Sequence, residues 1–522
     1  MHRLLRRSWV QVVVGALMLM AVIVISGRPT VFTDTDDYYA QGRGAARAIR
    51  PLLHVFSHTQ KDQEQDEAYL EAEADEDHTS MAARSPYYGI LLYGSYRVGT
   101  LWLLAAVQSL IAAWTVFCLV KGAVREPKPH VYLTIMAGLS LFSTLPFFAG
   151  FAMPDLFASL GAIATIALTI YWERFNRWER VALALVVTAS LWFHTSHILL
   201  EAALIVLLAI GLWWFGTAGR TIALRSGMFV LLIASAFASD VAYHAVVKLR
   251  TGEDLHRPPF LVARVLADGP GRIYLREVCD KAAPYVLCRF RANPLDNSDE
   301  ILWADDPARG IFNASRVNIR IELEREEKSF VAATLLHHPF SQIGASLSNW
   351  GEQITLVDLS EPLRDPTFYF TNVYWKDTSL PGLIPDGQTC LKTPSICRPR
   401  LEIEPLSWIH ATFILLSAAF LLWRGCQKDV RQAVMKREPV SPGSPEALFF
   451  TAVLLVMAVV VNSAFTGILS GPFSRYNARV IWMIPATAML VGLAVGPGFD
   501  WAEKWKMLLE RVRKMTARSR AG

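Results

Sequence analysis

The chain has 522 residues, of which 53% are hydrophobic and only 19% are charged, and its mean hydropathy is +0.30. This composition excludes an ordinary soluble enzyme of this length, and the recurring apolar runs are typical of a polytopic membrane protein. The net charge of +5 does not indicate nucleic-acid binding, because the basic residues lie mostly in short loops between the apolar runs and at the termini.

The apolar runs predict an all-α membrane protein with about ten transmembrane helices. The first run follows Arg3, Arg6 and Arg7 and could be a signal peptide, but residues 25–28 fit a cleavage site weakly, so an uncleaved span is favoured. The predicted spans are residues 9–26, 100–120, 131–149, 155–172, 181–194, 198–216, 228–246, 407–423, 447–466 and 480–496.

The least regular part of this pattern is residues 181–215, which are too many for one span and few for two. His194 and His197 lie in the middle, so we expect a tight hairpin that turns near them. The alternative is one long tilted helix with buried histidines, which would invert every later span.

With ten spans, the basic residues of the short loops all fall on the side of the two termini, which predicts that this side is cytoplasmic. We therefore expect a bacterial inner-membrane protein whose other face is periplasmic. The predicted regions are the first span (1–26), a periplasmic loop (27–99), spans two to seven (100–246), an inserted periplasmic segment (247–406), spans eight to ten (407–496) and a basic cytoplasmic tail (497–522).

The two periplasmic regions differ in character. Residues 27–99 contain an acidic run at 62–77, interpreted as a solvated loop, and an aromatic stretch, Ile90–Tyr93, expected to lie along the membrane interface. The longer region mixes short apolar and polar stretches with Pro and Gly, which predicts a small α+β domain.

Four of the six cysteines lie in the inserted segment as two close pairs. No C-x-x-C spacing occurs, so two disulfides in an oxidising compartment are favoured over a metal site. These residues are Cys279, Cys288, Cys390 and Cys397.

Three carboxylates occur within a stretch of four residues after the first span. They are Asp34, Asp36 and Asp37. Like charges this close raise one another's pKa, so the cluster calls for an explanation such as a catalytic base, a metal site or a cation pathway. A solvated loop is the simpler alternative.

Other ionisable residues fall on the same predicted face as this cluster. Such groups at membrane depth are costly and point to function. Asp155 could instead cap a helix, and the histidines and arginines could be interfacial anchors. The residues are Asp155, His194, His197, Arg475 and Arg479.

Acids and histidines opposite arginines suit an anionic, lipid-linked substrate. In glycosyl transfer from a polyprenyl-phosphate sugar, an aspartate would deprotonate the acceptor hydroxyl or help to hold a divalent cation. Arginines would bind the phosphate and stabilise the leaving group.

The sequence resembles the GT-C superfamily of integral membrane glycosyltransferases. Asp36-Asp37-Tyr38-Tyr39-Ala40, followed by Gly-Ala-Ala-Arg at 44–47, is similar to the Asp-x-Tyr-Ala…Gly-Ala-Arg run of the oligosaccharyltransferase catalytic subunit. Residues 85–88 resemble the start of the interfacial segment in the lipid A aminoarabinose transferase and protein mannosyltransferase group. Asp155 is similar to the second-loop acid, and Arg475-Tyr476 to a late Arg-Tyr motif.

This resemblance implies that Asp37 is the base or a cation ligand, with Asp36 second and Asp34 a bystander. It also implies that Asp155 and Tyr476 belong to the substrate site, and that Asp37 and Asp155 would hold Mg²⁺ or Mn²⁺. The donor would be a polyprenyl-phosphate sugar, and the acceptor an envelope glycan, lipid or protein.

Two other classes stay open. A flippase or transporter of a lipid-linked glycan would place polar groups near the membrane midplane, whereas here they crowd the outer ends of the spans. A periplasmic glycan ligase would use a histidine with arginines, and His194, His197, Arg475 and Arg479 are compatible with it.

Overall fold

The computed structural model of the chain describes residues 8–53, 84–126, 128–252, 254–281, 284–360, 401–437 and 440–494. Apart from one bridge between Thr30 and Phe151, the regular structure of these residues is helical. The α-helices are α1 Ser8–Ser26, α2 Thr33–Leu53, α3 Pro86–Ala123, α4 Pro129–Phe142, α5 Leu145–Ala149, α6 Leu156–Ile170, α7 Arg177–Phe193, α8 Thr195–Trp214, α9 Gly219–Thr251, α10 Phe260–Ala267, α11 Pro270–Cys279, α12 Ser298–Trp303, α13 Val317–His337, α14 Pro339–Gln353, α15 Ile403–Gly425, α16 Lys428–Lys436, α17 Pro445–Leu469, α18 Ser474–Ile481 and α19 Met483–Ala494.

Helices occupy all ten positions at which spans were predicted. Among the described residues, seven are long and apolar enough to cross a membrane: α1, α3, α8, α9, α15, α17 and the pair α18–α19. Two more, α4 and α6, are apolar but shorter. A helical membrane protein is therefore confirmed at the level of seven candidate spans, and the count of ten stays a prediction.

The predicted hairpin is confirmed. His194 has an extended backbone and separates α7 from α8. The end of α7 packs against Phe157 at the start of α6. Just after α8, Phe215 packs on Phe450. The next residue, Thr451, hydrogen-bonds Tyr171, which directly follows the other end of α6. The chain thus runs the length of α6 once in each direction, and a single long helix is excluded.

The acidic cluster lies on a helix rather than in a loop, because it forms the start of α2. Glycines let this helix cross α3 closely. A Cβ atom at Gly42 would lie 2.0 Å from the carbonyl oxygen of Gly89, and one at Gly89 would lie 2.4 Å from the carbonyl oxygen of Tyr38. Gly44, within the stretch that resembles the GT-C motif, has open space around it. Gly42 therefore sets the position of α2.

Helix α3 kinks at Gly99 and Thr100, where Thr100 has φ 65°. The kink coincides with the predicted start of the second span at residue 100. It separates a first part containing Ile90–Tyr93, which is helical, from the apolar remainder of the helix. The position of that first part on a membrane interface stays a prediction.

The third predicted span, 131–149, is not one helix. It breaks between α4 and α5, where the Ser143 hydroxyl donates to the carbonyl of Leu139 and the Thr144 hydroxyl donates to the carbonyl of Ala478. The Ser143 hydroxyl shares the carbonyl of Leu139 with the backbone and so competes with the helical hydrogen-bond ladder of α4. The break ties α5 to α18.

The inserted segment is helical wherever it is described, so the expected strands are wrong for residues 254–281 and 284–360. Short amphipathic stretches such as those of α10 and α11 fit either period by eye. Its apolar residues form a second core that includes Leu266, Leu275 and Phe330. The Cys279–Cys288 disulfide is confirmed, whereas Cys390 and Cys397 lie outside the described residues, as does the acidic run at 62–77.

The inserted segment holds the loop that leads into α18. The Gln353 side chain donates to the carbonyl of Phe473 and accepts from its N–H, both at 2.9 Å. Asp358 accepts from the Ser474 hydroxyl, and Arg264 donates to the carbonyl of Ser470. The inserted segment therefore fixes where α18 begins.

Candidate functional site

The start of α2 places two carboxylates beside an arginine that precedes α3. Asp34 pairs with Arg84 at 2.6 Å, and both side chains are largely buried. Asp37 lies one turn further on, 3.9 Å from the same guanidinium, with 60% of its side chain exposed. The Thr35 hydroxyl anchors this turn, because it accepts from the N–H of Phe32 and donates to the carbonyl of Ala152.

Asp155 stands directly before α6, but its side chain does not cap that helix. Its carboxylate is buried and faces two guanidinium groups instead. Oδ1 lies 3.8 Å from Nε of Arg475 and 3.4 Å from NH1 of Arg479. The simple interpretation of Asp155 as a helix cap is therefore wrong.

The two arginines lie one turn apart on α18. Arg475 also reaches α2, 3.8 Å from Asp34, and its guanidinium stacks over Phe32 at 4.1 Å. Tyr476 lies beneath both guanidinium groups, 5.2 and 5.3 Å from its ring centre. The predicted acidic and basic halves thus meet, although more than 400 residues separate them in the chain.

Arg479 is almost fully buried. One terminal nitrogen, NH2, donates to Asn462 at 3.1 Å and to Ser196 at 3.3 Å, while NH1 bonds Asp155. Its Nε has no hydrogen-bond partner among the residues that the structure describes. A buried donor left in this way is a place for a ligand oxygen.

The two histidines stack, with ring centres 5.2 Å apart. Nδ1 of His194 accepts from the N–H of Ser196, so we assign the proton of the neutral ring to Nε2. Burial lowers the pKa of His194 well below its usual value, and the nearby arginines lower it further. His197 is fully buried, and its Nδ1 faces the carbonyl of Ser190.

Electrostatics distinguish the acids. Burial raises the pKa of Asp37 to about 6, against a lowering by Arg84. The Asp37 side chain is nevertheless 60% exposed. Asp34 and Asp155 are instead buried against arginines. Asp37 is therefore the carboxylate that is both accessible and able to accept a proton near neutral pH.

Sequence reasoning ranked Asp34 as a bystander, and the structure corrects this, because Asp34 lies between Arg84 and Arg475. Arg84 itself was missed, although it directly precedes the Ser-Pro-Tyr-Tyr stretch that was singled out. Ser196 and Asn462, which contact Arg479, were also missed, since neither hydroxyls nor amides stand out in a sequence. Asp36 is partly exposed in the first turn of α2.

Among the described residues no group of three or more His, Cys, Asp or Glu is placed to hold a metal ion. The two acids proposed as ligands differ in their surroundings. Asp155 faces two guanidinium groups, which would repel a cation, and Asp37 contributes one carboxylate. The arrangement fits an anion better than Mg²⁺ or Mn²⁺.

Comparison of the chain with protein families, with curated proteins and with solved structures finds no match. The class that the fold defines is thus a polytopic helical membrane protein with a buried cluster of carboxylates and arginines at one end of its bundle.

Proposed function

We propose that the chain is a membrane glycosyltransferase that moves a sugar from a polyprenyl-phosphate donor to an acceptor hydroxyl at the outer face of the membrane. One observation carries the proposal: Arg475 lies 3.8 Å from Asp34 on α2 and 3.8 Å from Asp155 before α6. Asp37 lies one turn after Asp34 on α2, so an accessible acid and a pair of arginines are combined at a single site.

The arginines suit the phosphate. Arg475 and Arg479 are one turn apart, and guanidinium groups bind phosphate oxygens through paired N–H donors. Their contacts to Asp155 are longer than a good charged hydrogen bond, which is 2.7–2.9 Å. A phosphate that approached α18 would offer these donors shorter contacts. It would also give Nε of Arg479 a hydrogen-bond partner. As the glycosidic bond breaks, the same groups would stabilise the negative charge on the leaving phosphate.

Asp37 suits the acceptor. Its carboxylate is open to solvent and is only weakly paired with Arg84. In the proposed reaction it takes the proton of the acceptor hydroxyl while that oxygen attacks the anomeric carbon, and the polyprenyl phosphate leaves. This direct displacement inverts the anomeric carbon and needs no covalent intermediate. It also needs no cation, so the predicted Mg²⁺ or Mn²⁺ is not a part of the proposal.

The experiment measures the consumption of polyprenyl-phosphate sugars, and the release of polyprenyl phosphate, by the purified chain in nanodiscs supplied with envelope extract. Asp37→Asn and Arg475→Gln are expected to stop both. Asp429→Asn and Arg424→Gln serve as controls, because they alter an Asp–Arg pair far from the site. Full consumption by Asp37→Asn would disprove the role of the aspartate as the base.

A glycan ligase with a histidine base is the second candidate, and the hydrogen bonds of His194 speak against it. Since Nδ1 of His194 accepts from Ser196, the neutral ring donates through Nε2 rather than accepting a proton there. The matched variant is His194→Asn, because asparagine also caps a helix. Loss of transfer in His194→Asn, with Asp37→Asn active, would favour the ligase.

A further inference from the structure

Helix α14 of the outer segment has its polar and apolar faces reversed relative to a helix on a water-soluble domain. Its protein-facing side carries amides: Gln342 and Asn349 both donate to Asp268, and Gln353 bonds Phe473. Its outward side carries Phe340, which is 87% exposed. A helix on a soluble domain would bury the apolar side and expose the amides.

The outward side is a continuous apolar stripe. Ile343 and Leu347 follow Phe340 at helical spacing, and Leu335 and Leu336 at the end of α13 extend the stripe across the corner between the two helices. Residues 329–351 contain no Asp, Glu, Lys or Arg. We call this surface, formed by Leu335, Leu336, Phe340, Ile343 and Leu347, the α13–α14 apolar corner.

The neighbours of α14 set its depth. A Cβ atom at Gly467 of α17 would lie 2.8 Å from Cβ of Gln353, so the two helices are in close contact. At the end of α14, the carbonyl of Ile354 accepts from Asn477, which also bonds Ser463. Ser463 lies six residues before the end of α17, about 9 Å along the helix axis. Because α17 is a candidate membrane span, α14 reaches below the outer end of a span.

We propose that the α13–α14 apolar corner is inserted among the acyl chains of the outer leaflet of the membrane that the chain spans. The inserted segment is then seated in the membrane and is not a domain surrounded by water. Helix α14 is too short to span a bilayer, and its one acidic or basic residue of the Asp, Glu, Lys and Arg set, Glu352, lies in the last turn, away from the corner. A helix with one apolar face of this kind lies along a membrane interface. Lipid is the occupant that matches both the packing of α14 against a candidate span and the absence of Asp, Glu, Lys and Arg from residues 329–351. This inference is independent of the proposed transferase activity.

The test places a nitroxide label at single cysteines in the full chain in nanodiscs and compares collisions with oxygen, which enters the bilayer, and with a water-soluble nickel chelate. The variants are Phe340→Cys, Ile343→Cys and Leu347→Cys. Leu415→Cys, on the exposed apolar side of α15, is the lipid-facing control, and Arg325→Cys, on the charged part of α13, is the water-facing control.

The background carries Cys390→Ser, Cys397→Ser and Cys426→Ser. The other native cysteines are kept, because Cys118 is buried and Cys279 is in a disulfide with Cys288. All three labels are expected to match Leu415→Cys, with oxygen favoured over the chelate. Labels that match Arg325→Cys would overturn the proposal. So would labels shielded from both agents, which would mean that protein, and not lipid, covers the corner.

Discussion

The two ends of the helical bundle use charge in different ways. At the end opposite the candidate site, Lys121 and Glu179 meet at 2.6 and 2.7 Å, and Arg424 and Asp429 meet at 2.6 and 2.9 Å. Each of these two acids has one base at good hydrogen-bonding distance. In such pairs the charges are neutralised by each other, and few hydrogen-bonding groups are left for a ligand.

At the candidate site Asp34 and Arg84 also form a close pair, but the charges around Asp155 and Arg475 are shared and spaced apart. Asp155 faces both Arg475 and Arg479, and Arg475 faces both Asp155 and Asp34, at 3.4–3.8 Å. Burying charges at such distances costs more than it returns in Coulomb energy. We infer from this contrast that ion pairs close to ideal geometry have a structural role, whereas buried, loosely matched charges form a binding site for another charged group.

The largest expected effect is that of Arg479→Leu. It removes a buried charge that bonds Asp155, Ser196 and Asn462, so we expect the free energy of unfolding to fall by about 3–5 kcal/mol. Denaturant titration of the purified protein would measure this change. A loss as small as that caused by Arg424→Leu would remove the contrast between the two ends.

Asp37→Asn is expected to lower the rate of sugar transfer by about 10²–10⁴, the usual contribution of a general base. Stability should not change, because the side chain is largely exposed. Asp34→Asn is the matched variant. It should reduce both activity and stability, since it breaks the 2.6 Å pair with Arg84. Equal stability losses in the two variants would contradict the different roles assigned to them.

The pH dependence sharpens the assignment of the base. Asp37 acts only when it is deprotonated, and burial raises its pKa to about 6. Transfer should therefore rise with pH up to about 6 and level off above it, falling about tenfold for each pH unit well below the pKa. Initial rates from pH 4.5 to 8 would show this. The residual rate of Asp37→Asn should lack that rise, and a rise that persisted in it would assign the titration to another group.

Gly42→Ala should have a moderate effect. Its Cβ would collide with the carbonyl oxygen of Gly89 and push α2, with its carboxylates, away from α3. We expect a loss of about 1–3 kcal/mol of stability, as for overpacking, together with reduced transfer. Gly44→Ala is the control on the same helix, and thermal unfolding should show it unchanged or slightly more stable.

The smallest effect belongs to the opposite end. Arg424→Leu removes an ion pair whose acid is exposed, so the free energy of unfolding should change by less than about 1 kcal/mol. Transfer activity should be unaffected. A large loss of activity in this variant would show that charge at both ends contributes to function.

The sequence predicted those features that depend on local pattern or on topology. Apolar length predicted the helix positions, including a span that starts at residue 100, where α3 kinks, and the polar residues around His194 predicted the break there. Sidedness brought Asp155 together with Arg479. The pairing of Asp34 with Arg84 was beyond reach, because it depends on how α2 folds back on α3.

One alternative is ruled out and one expectation was wrong, both for local reasons. A solvated loop was the simpler alternative for the acidic cluster, but Asp34 and Asp36 lie in the first turn of a helix, where acids are stabilised by the helix dipole. Strands were expected in the outer segment because short mixed stretches do not distinguish a period of 2 from one of 3.6.

The Gln353 side chain bonds both the carbonyl and the N–H of Phe473, so the length of this side chain fixes the distance between α14 and the start of α18. An amide one carbon shorter, as in Gln353→Asn, could not reach both partners from the same backbone position. Arg475 comes two residues after Phe473, so the spacing between the guanidinium groups and the carboxylates of α2 is set by a residue more than 120 positions earlier. The inserted segment therefore contributes to the geometry of the candidate site.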